Sequence, residues 1–256
     1  MKPLCVVIPS RTASNLVASI AAVRQHEPDA RIIVVDDGVD WEMAPHLQWG
    51  TLGATFALPD MLSTLPLRII KGEKPFIFAR NANIGIRAAG DADVVLLNDD
   101  ALLESPLGFS LMQKAAEDHP EVGIIGAVTN VTGASHQQMR RNGNGFRIVD
   151  HIAFVCVLIP NRTREKLANI ADYVTDDAVE TDERFTGGYL DERYVTYGWE
   201  DNDYIRQCKT AGLQIAVHDG CYVNHSSLPS TFRGKGIADI EPGRKIYMAK
   251  WPGFRQ

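Results

Sequence analysis

Cysteine is scarce in these 256 residues: Cys5, Cys156, Cys208 and Cys221 stand far apart and include no CxxC pair. That spacing excludes a zinc knuckle and a disulfide framework, and it reads as reduced thiols of an intracellular protein. Long apolar runs are also missing. The N-terminal run from Leu4 to Ile8 stops at Pro9, far short of the ~20 residues that cross a bilayer or of a signal peptide's apolar region. The expectation is a cytoplasmic protein without a transmembrane segment. Positive charge is in short supply as well, with 26 Lys and Arg against 32 Asp and Glu and a formal charge of −6. The chain as a whole therefore offers no electrostatic footprint for nucleic acid or anionic lipid. Finally, the first apolar run is followed by Ser10-Arg11-Thr12 and by neither GxGxxG nor GxxxxGK[ST], so neither a dinucleotide cradle nor a P-loop is supported.

What is present is an average soluble composition, 45% hydrophobic and 23% charged, with 21 Gly and 13 Pro, enough to bury a substantial core without staples. No internal repeat or linker interrupts it, and residues 1–256 read as one domain. Through about residue 130, short apolar runs at 4–9, 31–35, 67–71 and 93–97 alternate with amphipathic stretches at 11–26 and 74–90, the second stopped by Gly90. Ser105-Pro106 opens a further helix, with Pro at its first position. This alternation predicts an α/β fold with a mostly parallel central sheet flanked by helices. The second half adds strands at 121–128, 151–160 and 213–217 and helices at 162–170 and 200–211. Residues 226–245, rich in Ser, Gly and basic side chains, read as mobile.

Three acidic clusters carry the chemistry. Asp36-Asp37 and Asn98-Asp99-Asp100 each end an apolar strand, and in open parallel sheets ligands bind outside the carboxyl ends of the strands. Asp and Asn are also common in turns because they bond their own backbone. A hard divalent cation held by one or two carboxylates and a ligand's phosphates would neutralise a nucleoside diphosphate, and Asn98, Asp99 and Asp100 can supply that clamp. His225, after the apolar stretch that begins at Leu213, can complete a site begun by Asp100; nitrogen ligation mildly favours manganese over magnesium. The third cluster, Glu200-Asp201-Asn202-Asp203, follows Tyr197-Gly198-Trp199. First-turn acids complement a helix dipole, but three in four residues exceed what capping requires.

Taken in order, these segments resemble the inverting family-2 glycosyltransferases with a GT-A domain. CVVIPSRTASNLVASIAAV with IIVVDDG looks like that family's opening strand, helix and acidic turn, and FARNANIGIRAAGDADVVLLNDDALL like the helix leading into its metal-binding DXD region, most of all in rhamnosyltransferase-like members. YLDERYVTYGWEDNDYIRQCKTAGLQIAV is similar to the acceptor-side segment with its ED dyad. The resemblance implies a Rossmann-like sheet with a small antiparallel acceptor-side subregion, a nucleotide-sugar half at 1–130, an acceptor half at 131–228 and a mobile segment at 229–256. It implies that Pro9, Arg11, Asp36 or Asp37, and Arg80 contact the nucleotide, with Asn98 in the place of the first DXD carboxylate and Asp99 nearby. Asp100 and His225 would hold Mn2+ or Mg2+, Asp201 with Glu200 would be catalytic, and Arg233 and Lys235 would meet the leaving diphosphate. The implied partners are a nucleotide-sugar donor, such as a UDP-sugar, and a hydroxyl acceptor: a glycan, protein, small molecule or modified nucleic-acid base. Arg140, Arg141, Arg147, Arg233, Lys235, Arg244 and Lys245 could line the path of an anionic acceptor, or could be dispersed surface charge. A nucleotidyltransferase and an inactive sugar-nucleotide- or glycan-binding module are the alternative functions.

Overall fold

Four apolar runs form the parallel part of the sheet: β1 (Leu4–Ser10), β2 (Arg31–Asp36), β3 (Leu67–Lys71) and β4 (Asp93–Leu97). β1 pairs in parallel with both β2 and β4, and β2 pairs with β3. Parallel neighbours need crossover connections, and α1 (Ala13–His26) and α2 (Phe78–Ala89) lie on two of them. The computed structural model describes residues 2–41, 67–137, 145–170, 185–196, 198–225, 228 and 237–252. Its other elements are β5 (Leu102–Leu103), α3 (Gly108–Asp118), β6 (Val122–Thr129), β7 (Phe146–Val149), β8 (Cys156–Ile159), α4 (Asn161–Leu167), α5 (Glu200–Thr210), β9 (Gln214–Asn224) and α6 (Ile237–Lys250).

The strand order is β3-β2-β1-β4-β8-β6-β9-β5, with β7 also paired to β9. β8 runs antiparallel between β4 and β6, while β5 and β7 run antiparallel to β9. Because β8 is inserted between β4 and β6, strands from before and after residue 130 share one sheet. Side chains alternate across it. Cys5 and Val7 pack with Ala82 and Ile86 of α2, and Val6 and Ile8 pack with Leu16 and Ile20 of α1. Both faces of β1, β2 and β4 are covered, which is why these three strands read as unbroken apolar runs, whereas β3 exposes Arg68 and Ile69. Among the described residues no helix is long and apolar enough to cross a membrane.

Three local expectations change. The helix read from Ser105-Pro106 starts later, at Gly108, after Leu107 in a left-handed conformation. The Ser105 hydroxyl instead accepts the Tyr222 N–H at 2.9 Å, and Leu107 N–H donates to His26 O at 2.8 Å. The strand read at 151–160 shortens to Cys156–Ile159, because the Ala153 N–H is taken by Gln137 Oε1 at 2.6 Å. The third change is an added element, α6 from Ile237 to Lys250, where the sequence suggests no helix. The polar composition there conceals Tyr247, Lys250 and Trp251, all of which are buried.

α6 is anchored by an interior charge network. The Lys250 ammonium donates to Asp191 Oδ2 at 2.8 Å and to Asp203 Oδ2 at 2.9 Å. All three side chains are fully buried. Arg193 pairs with Asp191 at 2.7 Å, and Trp251 Nε1 and the Tyr194 hydroxyl donate to Asp203 Oδ1. Burial alone would raise the Asp191 carboxyl, but Arg193 and Lys250 outweigh it and hold that group below its ordinary range.

Two stability outcomes are expected. A Cβ on Gly85 of α2 would stand 2.2 Å from Val7 Cγ1 and 3.0 Å from Val35 Cγ2, so Gly85→Ala lowers unfolding free energy by about 1–3 kcal/mol through overpacking. Lys250→Met removes the cation from two buried carboxylates and costs about 3–5 kcal/mol. Urea titration followed by circular dichroism checks both.

Candidate active site

The chain runs outward from β1 through β2 to β3 and then returns to place β4 on the other side of β1. At such a switch point the loops leaving the two central strands diverge and open a crevice at their carboxyl ends. A small open cleft lies there, lined by Pro9, Ser10 and Arg11 after β1, Asn98, Asp99 and Asp100 after β4, and Phe76 and Phe78 before and at the start of α2. The sequence reading named five of these residues for the site. Ser10, Phe76 and Phe78 were not among them. The signal for the two rings was the Phe76-Ile77-Phe78 alternation: Ile77 is extended, so Phe76 stands outside the helix that the sequence suggested from residue 74.

Asp99 Oδ2 accepts the Ser10 hydroxyl at 2.6 Å. Burial first, with the neighbouring Asp100 charge adding to it and the Ser10 bond opposing it, raises the Asp99 carboxyl to about 6. Asn98 Oδ1 is buried without a hydrogen-bond partner among the described residues, a cost that a ligand donor or cation would relieve. Arg11 stands over the Phe76 ring at 5.9 Å, bringing one positive charge to the cleft.

Asp100 meets His225 across 125 residues of sequence, Oδ1 to Nε2 at 3.0 Å. The β5–β9 ladder makes this possible, because Leu102 pairs with Asn224 and Leu103 with Val223, just beyond the two residues concerned. Asn130 Oδ1 also accepts the His225 N–H at 2.8 Å. His225 Nδ1 lies 2.9 Å from Val131 O, an acceptor only, so that nitrogen carries the proton. Nε2 then faces a carboxylate either as an imidazolium N–H or as a lone pair sharing a cation with Asp100. Burial opposes the imidazolium, but the Asp100 bond and charge raise its pKa. An Nδ1–H held by a backbone carbonyl, with Nε2 directed at a carboxylate, is the arrangement that orients a metal-ligating His. Among the described residues no third His, Cys, Asp or Glu completes a metal cluster. Two protein donors still fit Mn2+ or Mg2+ when a diphosphate supplies other oxygens.

The first acidic turn is engaged locally. Asp36 Oδ1 accepts the N–H groups of Gly38 and Val39 at 2.8 and 2.7 Å, and Oδ2 accepts Trp41 Nε1 at 2.7 Å. Asp37 is buried between Lys74, at 2.9 Å, and Asn81 Nδ2, at 3.1 Å. Arg80 holds the backbone carbonyls of Glu73 and Pro75 and pairs with Glu73 at 3.4 Å. Neither acid nor Arg80 lines the cleft. Their partners order the loops that flank it.

The third cluster divides on α5. Asp203 turns inward to Lys250 and Trp251, whereas Glu200 and Asp201 form a separate acidic pair. Asp201 Oδ1 accepts the N–H of Asn202 at 2.8 Å and its Nδ2 at 3.1 Å. Burial, then the Asp201 charge, pushes Glu200 up to about 8, and Glu200 Oε2 is buried without a hydrogen-bond partner among the described residues. Asp201 is also raised by burial, opposed by His151. His151, which the sequence reading passed over, is lowered by burial and opposed in turn by Asp201. Asp201 and His151 thus feel each other's charge, each opposing the shift that burial imposes on the other. Neither Glu200 nor Asp201 lines the β1–β4 cleft.

Of the basic residues, Arg147 forms a bidentate pair with Asp219, with contacts of 2.8–3.0 Å, and Arg244 pairs with Glu241 at 3.5 Å. Arg140, Arg141, Arg233, Lys235 and Tyr197 lie outside the described residues.

Solved structures share this architecture at low sequence identity. The structure titled "Crystal structure of GalNAc-T7 with UDP, GalNAc and Mn2+" is similar at TM-score 0.66 and 12% identity, over 97% of this chain and 48% of that one. "Mannosyltransferase PcManGT from Pyrobaculum calidifontis in complex with GDP-Man and Mn2+" is similar at TM-score 0.60 and 15% identity, over 91% and 58%. "Crystal structure of S. aureus TarS 1-349" follows at TM-score 0.53 and 11% identity, over 86% and 60%. The chain spans about half to three fifths of the length of these structures. No curated protein matches it in sequence. The likenesses establish a GT-A fold, and the model of one sequence family matches residues 5–173: the chain belongs to glycosyl transferase family 2.

Proposed function

We propose that the protein is a metal-dependent inverting glycosyltransferase that moves a sugar from a nucleoside-diphosphate sugar, such as a UDP-sugar, to an acceptor hydroxyl. The observation that carries this reading is the Asp100–His225 pair beside the switch-point cleft, with the orphaned Asn98 oxygen in the same lining. Two of the similar structures are titled with Mn2+, one with UDP and one with GDP-Man.

In this reading Phe76 and Phe78 give the base apolar faces, Arg11 meets the phosphates, and Asp100 and His225 hold the cation. When bound, a divalent cation supplies positive charge against the leaving diphosphate. The acceptor oxygen forms its bond to the anomeric carbon on the side opposite the nucleotide as the bond to the diphosphate oxygen breaks. The hydroxyl proton passes to a carboxylate within hydrogen-bond reach. Asp201 takes that role, with Glu200 holding its own proton below about pH 8 so that the pair carries one charge. Arg233 and Lys235 are proposed to meet the diphosphate as it departs.

Incubation with a panel of nucleotide-sugars, Mn2+ and hydroxyl acceptors tests the proposal by release of nucleoside diphosphate. Chelation with EDTA is expected to abolish release and added Mn2+ to restore it. Asp201→Asn is expected to reduce turnover about 10²–10⁴-fold, with nucleotide affinity retained; Asp100→Asn and His225→Ala instead weaken Mn2+-dependent nucleotide binding. Tight binding of the donor with no turnover under any acceptor would replace the enzyme with a binding module. The pH dependence has a definite sign: turnover rises as Asp201 loses its proton, on an acid limb above the ordinary Asp value of about 3.9. His151→Gln removes the group that opposes this shift and moves the limb to higher pH, measured in kcat–pH profiles of the two proteins.

A further inference from the structure

Trp199 sits at φ +80°, directly before Glu200, at the N-cap of α5. A bulky side chain in the left-handed region is strained and persists only where its surroundings hold it. The surroundings are α6. Its Ile240, Gly243, Tyr247 and Lys250 follow a helical spacing that puts them on one stripe. Gly243 lacks the Cβ that would stand 2.8 Å from Gly198 O and 3.1 and 3.2 Å from Trp199 Cδ1 and Cβ. The Tyr247 ring packs on the Trp199 ring at 5.1 Å. One turn along the stripe, Lys250 grips Asp203, whose own N–H donates to Trp199 O at 2.9 Å and closes the first turn of α5. Glu200 and Asp201 therefore lie between two clamps, Trp199 on one side and Asp203 on the other, and both clamps are set by α6.

We propose that α6 is a positioning element for the Glu200–Asp201 pair, and that Gly243 is the positioning residue that lets the helix seat against the Gly198–Trp199 turn. The consequence for turnover rests on the reading of Asp201 as proton acceptor; the mechanical part does not. None of the α6 side chains described, residues 239–250, lines the β1–β4 cleft, so donor binding is separable from the positioning of the base.

Lys250→Met leaves two buried carboxylates without their cation and is prone to unfold, so Gly243→Ala is the deciding variant. Ala is a better helix former than Gly, and its single methyl displaces α6 from the turn by contact with a carbonyl oxygen that cannot rotate away. The expected result is a folded protein with a near-native circular dichroism spectrum, kcat reduced at least about 10-fold, and an unchanged Kd for the nucleoside diphosphate with Mn2+. Trp199 emission, isolated by subtracting the spectrum of Trp199→Phe, is expected to shift. Native kcat with native emission would overturn the proposal, and so would an equal loss of nucleotide affinity and kcat, which marks general damage. Should Gly243→Ala not fold, Tyr247→Leu, which removes the ring from Trp199 and keeps an apolar side chain, gives the same readouts. If the unmodified protein transfers no sugar from any donor, the functional reading has failed. Emission then decides the mechanical claim: a shift in the variant supports it, and no shift overturns it.

Discussion

Two residue pairs of antiparallel ladder, Leu102 with Asn224 and Leu103 with Val223, hold the candidate site together. They join the loop leaving β4 to the end of β9, so that Asp100 and His225 meet although 125 residues separate them. Without that short ladder the β4 turn would retain its acids but lose its nitrogen donor. The ladder in turn depends on the parallel pairing of β6 with β9, which carries β9 to the far side of the sheet from β3. A catalytic geometry on strand ends is only as rigid as the pairing behind it, and here strands from both ends of the chain share one sheet.

The same turn of α5 illustrates two fates of a buried acid. Asp203 is taken into a network where two carboxylates meet two cations, Arg193 and Lys250, in a formally neutral cluster. Such a cluster is costly to desolvate but unforgiving to break, which makes it better suited to fixing one arrangement than to adding stability. Glu200, three residues earlier, has no cation against it among the described residues and rises to about 8. One pattern stiffens the scaffold; the other leaves a group able to exchange a proton near neutral pH. The two lie side by side: Asp203, held by Lys250, bonds Trp199 O and closes the helical turn that carries Glu200 and Asp201.

Much of the arrangement was legible in the residues. β1, β2 and β4 were readable because strands covered on both faces become short, unbroken apolar runs, and the acids at the carboxyl end of β4 fall in the lining of the cleft. The readings that changed were those where a polar sequence hides a buried role. Lys250 has the composition of a surface residue, yet it is fully buried, because its partners Asp191 and Asp203 are 59 and 47 positions away. Asp36 and Asp37 end their strand as ligands would, and contacts with Trp41, Lys74 and Asn81, which the sequence did not announce, hold them there. His151 carried no signal, being a lone histidine outside any motif.

By itself the sequence determined the α/β alternation, the family resemblance and the chemical inventory: carboxylates in turns, a late histidine and an acidic start to α5. These follow from local periodicity and composition, which depend on neighbours a few residues apart. Only the tertiary structure decided that Asp99 and Asp100 line the cleft together with Phe76 and Phe78, that Asp203 bonds to Lys250, and that α6 closes on the Trp199 turn. Those choices are made by contacts between segments tens to more than a hundred residues apart, where a side chain's surroundings, and hence its charge state, are set by packing and not by its place in the chain.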